Sequence, residues 1–203
     1  LLTMAGALEI ALVVEDALSL ALMEKTLAHT GRRYVVARTL VERGVGNMRK
    51  SVGKYLGASR VLPHVVLVDL DQSACAVQLR QQWGVANLPD SMLFRVAVRE
   101  AEAWVLADRL GFAEFAGIPP GKVSSAPESL PDPKQELVNL VRRSRNKRLA
   151  AEIVPALGSA VPIGPLYNER LCSFVRAHWC VDAAMAAAPS LARTVGRLQT
   201  FLK

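Results

Sequence analysis

The sequence predicts an α/β fold: a mostly parallel, four-stranded sheet flanked by helices, with a helical C-terminal part. Two observations predict it. Up to residue 110, short apolar runs alternate with segments of helical period, the pattern of successive β-α units. From Lys134 onward the alternation is gone and every periodic segment is helical.

The elements follow in order. Residues 10–14 (Ile-Ala-Leu-Val-Val) form the first strand, and Leu18, Leu20, Leu22, Met23 and Leu27 carry the first helix, which Gly31 stops. A short strand is expected at 34–36 and a basic helix at 47–56, bearing Arg49, Lys50 and Lys54. The third strand, 65–68, ends at Asp69, and Ser73 is placed to cap a helix running through Leu79 to Trp83. The fourth strand, 94–98, leads into a helix over 100–110 with Trp104, Leu106 and Leu110 in the core. Residues 112–133 hold Pro119, Pro120, Pro127, Pro131 and Pro133, the mark of a long loop or lid. Helices are expected at 135–143, 146–157, 169–179 and 191–202. The organisation is a single domain: an α/β core at 1–111, the proline-rich loop at 112–133, and a helical part at 134–203 packed on the core.

Composition bounds the function. The 203 residues suffice for a sizeable core, and half are apolar, which excludes disorder for the bulk of the chain. Twenty-five Lys and Arg against 18 Asp and Glu give +7, a charge that permits nucleic-acid binding without demanding it. Cys75, Cys172 and Cys180 have no CxxC spacing, so a reduced, cytoplasmic chain is expected. The apolar opening lacks a basic leader and turns acidic at Glu15 and Asp16, so neither a signal peptide nor a membrane span is expected. His29, His64 and His178 are scattered and read as structural.

The chemistry lies in acidic residues at the ends of the apolar runs: Glu15, Asp69 with Asp71, and Glu102. Parallel strands present their carboxyl ends at one edge, where ligands bind. Carboxylates gathered there repel unless a cation neutralises them, and hard oxygen donors suit Mg²⁺ or Mn²⁺. Each residue also has a plain structural reading. Glu15 and Asp16 can open a helix, Asp71 can cap the next one, and Glu100 can be a solvated first-turn residue. The basic run Arg142, Arg143, Arg145, Lys147 and Arg148 is a solvated face or a phosphate-backbone grip.

The order Glu15, Asp69-Leu70-Asp71 and Arg99-Glu100-Ala101-Glu102-Ala103-Trp104-Val105-Leu106-Ala107-Asp108 resembles the DUF4276 family of Toprim-like proteins. Pro131-Asp132-Pro133-Lys134, Asn146-Lys147 and Ser173-Phe174-Val175 extend the resemblance over nearly the whole chain. Toprim proteins include topoisomerases, primases and overcoming-lysogenization-defect nucleases. The resemblance implies a Mg²⁺- or Mn²⁺-dependent nuclease of DNA or RNA, in phage defence, beside an AAA- or ABC-type ATPase partner. It implies that Glu15 binds metal or acts as general base, that Asp69 and Asp71 coordinate metal, and that Glu102, or Glu100, joins a second metal. Lys147, or else Lys134, would stabilise charge on the scissile phosphate. Asp16 stands where Toprim proteins usually carry glycine. A non-catalytic partner subunit and a receiver-like phosphoacceptor domain built on Asp69 are the competing readings.

Overall fold

The computed structural model describes residues 6–203, and residues 1–5 of the apolar opening lie outside the described part. The chain divides into two compact units, Leu1–Ala97 together with Arg193–Lys203, and Val98–Ala192.

The first unit is the α/β part. Its elements are β1 (Leu8–Val14), α1 (Ala17–His29), β2 (Tyr34–Val41), α2 (Val45–Ala58), β3 (His64–Asp69), α3 (Ala76–Gln82) and β4 (Met92–Ala97). All pairings are parallel, in the order β2-β1-β3-β4. The sheet is therefore four-stranded and parallel, as the β-α alternation predicts, with Val65–Val68 in its interior. Ile10 to Val14 are wholly buried, because an inner parallel strand is covered on both faces. α1 packs against β1 and β2, and α2 against β3. α1 turns Leu18, Ala21, Leu22 and Leu27 into the core.

Two local features of this unit differ from expectation. β2 runs to Val41 rather than stopping at Val36, with an irregularity in its register opposite Ile10 and Ala11. It is an edge strand, largely exposed, so Arg38 and Thr39 sit in it without penalty. The cap of α3 is Cys75, whose sulfur accepts from Gln78 N–H at 3.5 Å, and not Ser73 or Asp71.

The second unit is helical: α4 (Ala101–Ala107), α5 (Arg109–Ala116), α6 (Pro133–Arg142), α7 (Lys147–Ile153), α8 (Tyr167–Ala177), α9 (Val181–Ala187) and the start of α10 (Pro189–Thr200). The single helix expected at 100–110 is two helices. Asp108 ends α4 and caps α5, accepting from Gly111 N–H at 3.1 Å and from Cys180 N–H at 2.8 Å. Trp104 is wholly buried and donates to Ser190 Oγ at 2.7 Å, while Trp179 donates to the Trp104 carbonyl at 3.0 Å. Leu106 is core as expected, but Leu110 is 70% exposed, because the break at Asp108 turns it outward. The proline-rich stretch begins only after α5 and contains two single helical turns, at Pro120–Lys122 and Pro127–Ser129. Glu128 anchors it by accepting from Ser190 N–H and Oγ–H, at 2.9 and 2.6 Å.

α10 continues into the first unit. There Arg32 Nη1 donates to the carbonyls of Leu198 (2.9 Å) and Phe201 (2.6 Å), and the Tyr34 hydroxyl donates to Leu198. A cation on the last carbonyls of a helix complements its dipole. Among the described residues no helix is long and apolar enough to cross a membrane.

Candidate functional site

In the strand order β2-β1-β3-β4 the chain winds outward in one direction from β1 and in the other from β3. The point of reversal between them is where open α/β sheets bind ligands, outside the carboxyl ends of the strands. Glu15 directly follows β1 and Asp69 is the last residue of β3. Val13 pairs with Val66, so two residues on from Val13 and three on from Val66 both acids leave the sheet at the same edge. Asp71 follows in a turn with φ of 48°, a left-handed conformation that aspartate tolerates better than most residues. All three are partly exposed.

Asp16 has a different task. Its Oδ1 accepts from Ser19 N–H at 2.8 Å and caps α1, so the helix-opening reading holds for this residue. Aspartate rather than glycine at this position thus has a local structural cause.

A second acidic cluster is built within the helical unit. Glu102, in the first turn of α4, is 2% exposed. Its Oε1 lies 3.4 Å from Lys134 Nζ and accepts from the Tyr167 hydroxyl at 2.9 Å. Burial pushes its carboxyl up to about 7; Lys134 pulls it down, Glu100 pushes it further up, and Tyr167 stabilises the charged form. Glu100 is not a solvated first-turn residue: it precedes α4, and its Oε2 accepts from the Lys134 backbone N–H at 3.0 Å. Asp132 caps α6 by accepting from Gln135 N–H at 2.7 Å, and Pro133 at the first helical position fixes the entry of the chain. That cap sets Lys134 in the first turn, where both its backbone and side chain meet the α4 acids.

The two lysines differ in their surroundings. Lys134 faces Glu102, whereas Lys147 is exposed at the start of α7, with its Nζ on the Ser144 carbonyl at 3.1 Å. Glu15, Asp69 and Asp71 belong to the first compact unit, and Glu100, Glu102, Lys134 and Lys147 to the second. Among the described residues no three His, Cys, Asp or Glu side chains are grouped so as to hold a metal ion.

The basic residues are spread out. Arg49, Lys50 and Lys54 are exposed on α2, with Arg49 donating to the Gln82 carbonyl at 3.2 Å. Arg142, Arg143 and Arg145 are exposed around the α6–α7 turn, and Arg148 pairs with Glu152 at 3.1 Å along one helix face. Sequence reading misses Tyr167, which lies 65 residues from Glu102 and carries no motif. It also misses a set of arginines, Arg80, Arg95, Arg193 and Arg197, that the fold gathers from three elements.

No protein-family model, curated protein or solved structure matches the chain.

Proposed function

We propose that the chain is a divalent-metal-dependent phosphodiesterase acting on nucleic acid, related to the Toprim-like proteins of the DUF4276 family. The observation that carries this reading is the emergence of Glu15, Asp69 and Asp71 at the reversal point of a parallel sheet. The donor set fits Mg²⁺ or Mn²⁺ in kind. These ions take hard oxygens, and Mg²⁺ is often held by one or two carboxylates together with substrate phosphates and water rather than by a closed protein cage. Glu15 and Asp69 are the proposed ligands, with Asp71 beside them. When bound, the metal supplies Lewis acidity at the scissile phosphate. Glu15, the acid nearest the end of β1, accepts the proton of the attacking water. Asp16 is occupied as a helix cap and takes no part.

Glu102 fits a metal less well, because Lys134 and Tyr167 already occupy its Oε1. Within the helical unit, its raised pKa suits it to proton exchange near neutrality. The charge-stabilising lysine, Lys147 or else Lys134, is part of the proposal on the resemblance alone. An ATPase partner and a role in phage defence remain part of the proposal on the resemblance alone.

The test is nicking of supercoiled DNA, and cleavage of single-stranded DNA and RNA, by the purified chain with Mn²⁺ or Mg²⁺. Asp69→Asn and Glu15→Gln are expected to abolish cleavage while keeping the fold, and to remove calorimetric Mn²⁺ binding. If the wild type cleaves nothing with either metal, alone or with a candidate ATPase, catalysis is excluded and the binding-subunit reading replaces it.

A further inference from the structure

The first unit holds a groove of about 790 Å³ along β4, lined by Arg80, Arg95 and Arg197 among others, with Phe94, Phe201 and Asp90. Three elements deliver the guanidiniums. Arg80 comes from the end of α3, Arg95 from β4 and Arg197 from α10. Arg193, one helical turn before Arg197, lies on the same face of α10 and adds its charge at Arg95.

Among the described residues no carboxylate answers these charges. Arg95 donates only to Thr194 Oγ1, at 3.2 Å, and Arg80 only to the carbonyls of Val85 and Ala86, at 3.2 and 3.3 Å. Among the described residues no ion pair joins any of the four arginines to a carboxylate, Asp90 included. Cations at successive turns of one helix repel, and a partly buried guanidinium without a counterion is costly. A fold that keeps four guanidiniums together, two of them partly buried, gains most when an anion joins them.

We propose that this groove is a binding site for a ligand of nucleotide size carrying two or more phosphate groups. Guanidiniums supplied by three separate elements are best met by an acceptor with oxygens on more than one side, which a phosphate offers and a single carboxylate does not. The volume is that of a small-molecule site and exceeds what one phosphate fills. Burial and, in order, the charges of Arg197, Arg193 and Arg80 hold the Arg95 guanidinium down to about 10, as expected of a crowded cation awaiting a counterion. Glu15, Asp69 and Asp71 do not line this groove, and the proposal does not depend on whether the chain cleaves anything.

The phosphates can come from a free nucleoside polyphosphate or from successive links of a nucleic-acid strand. Calorimetric titration at low salt with ATP, inorganic tripolyphosphate, a twelve-residue oligothymidylate and a glutamate-rich peptide separates these sources. At least one phosphate probe is expected to bind, and the Arg193→Ala/Arg197→Ala pair to weaken it about tenfold or more, since hydrogen bonds between charged groups are worth that much each. Arg95→Lys, which keeps the charge and loses the fork, is expected to weaken it similarly. Binding of ATP and tripolyphosphate without the oligonucleotide assigns a nucleotide; binding of the oligonucleotide alone assigns a strand, with log affinity falling by about 0.7 per contacted phosphate against log salt. Arg193 and Arg197 are exposed, so the double variant tests the site even where Arg95→Lys unfolds, and thermal melting checks the fold. The proposal is overturned if no phosphate probe binds, if the peptide binds as tightly as the phosphates, or if the double variant binds them like the wild type.

Discussion

Glu102 shows how one buried carboxyl couples chemistry to stability. Its folded pKa, about 7, lies above its ordinary 4.5, so between these values the folded protein holds a proton that the unfolded chain has released. Stability therefore falls as pH rises through that window, by about 3 kcal/mol in all at roughly 1.4 kcal/mol per unit. Urea unfolding between pH 4.5 and 8 is expected to show this fall, and Glu102→Gln to flatten it. Lys134→Met removes the cation that lowers the pKa, so the fall should extend to higher pH. Tyr167→Phe acts in the same direction through the lost 2.9 Å hydrogen bond, and a shift of the profile to lower pH would contradict the assignment. The glutamate was legible in the sequence, at the start of a helix. Its state was not, because burial, Lys134 and Tyr167 come from packing.

Among the elements, the α4–α5 break carries the sharpest consequence. Asp108 looks in the sequence like one more residue of a continuous apolar helix, yet its buried carboxylate satisfies the N–H groups of Gly111 and Cys180. Asp108→Ala loses a cap worth about 1 kcal/mol and strands the Cys180 N–H, for a total of about 2–4 kcal/mol in urea unfolding. Gly111→Ala should also destabilise, since a Cβ there would stand 2.3 Å from the Asp108 carboxylate. A change below 0.5 kcal/mol in the Asp108 variant, the usual limit for neutral surface sites, would remove the cap from this account.

For the molecule as a whole, the order β2-β1-β3-β4 separates interior from edge. Leu12, wholly buried in β1, and Val35, 46% exposed on β2, sit in neighbouring strands. Leu12→Ala is expected to cost about 2–5 kcal/mol, whereas Val35→Ala should stay near 0.5 kcal/mol, measured by the same denaturant titration. Equal costs would mean that β2 is covered in solution. The same order places the reversal point at the ends of β1 and β3, so one topological fact sets both the stability map and the proposed metal edge.

Apolar runs and the acids after them were readable because they depend on local pattern: a run long enough for one strand must be buried, and a residue just past it must emerge at the sheet edge. The parallel sheet, α1 with its capping Asp16, and the positions of Glu15 and Asp69 all follow from that logic. Strand order and every grouping across the chain were settled only by folding. Arg80, Arg95 and Arg197 are separated by up to 117 positions, and nothing local links them until α3, β4 and α10 line one groove. Glu102 likewise meets Tyr167 only because α4 and α8 share a core. Local periodicity carries no information on which distant side chains will share a low-dielectric space, and it is that sharing which shifts a pKa or gathers charge.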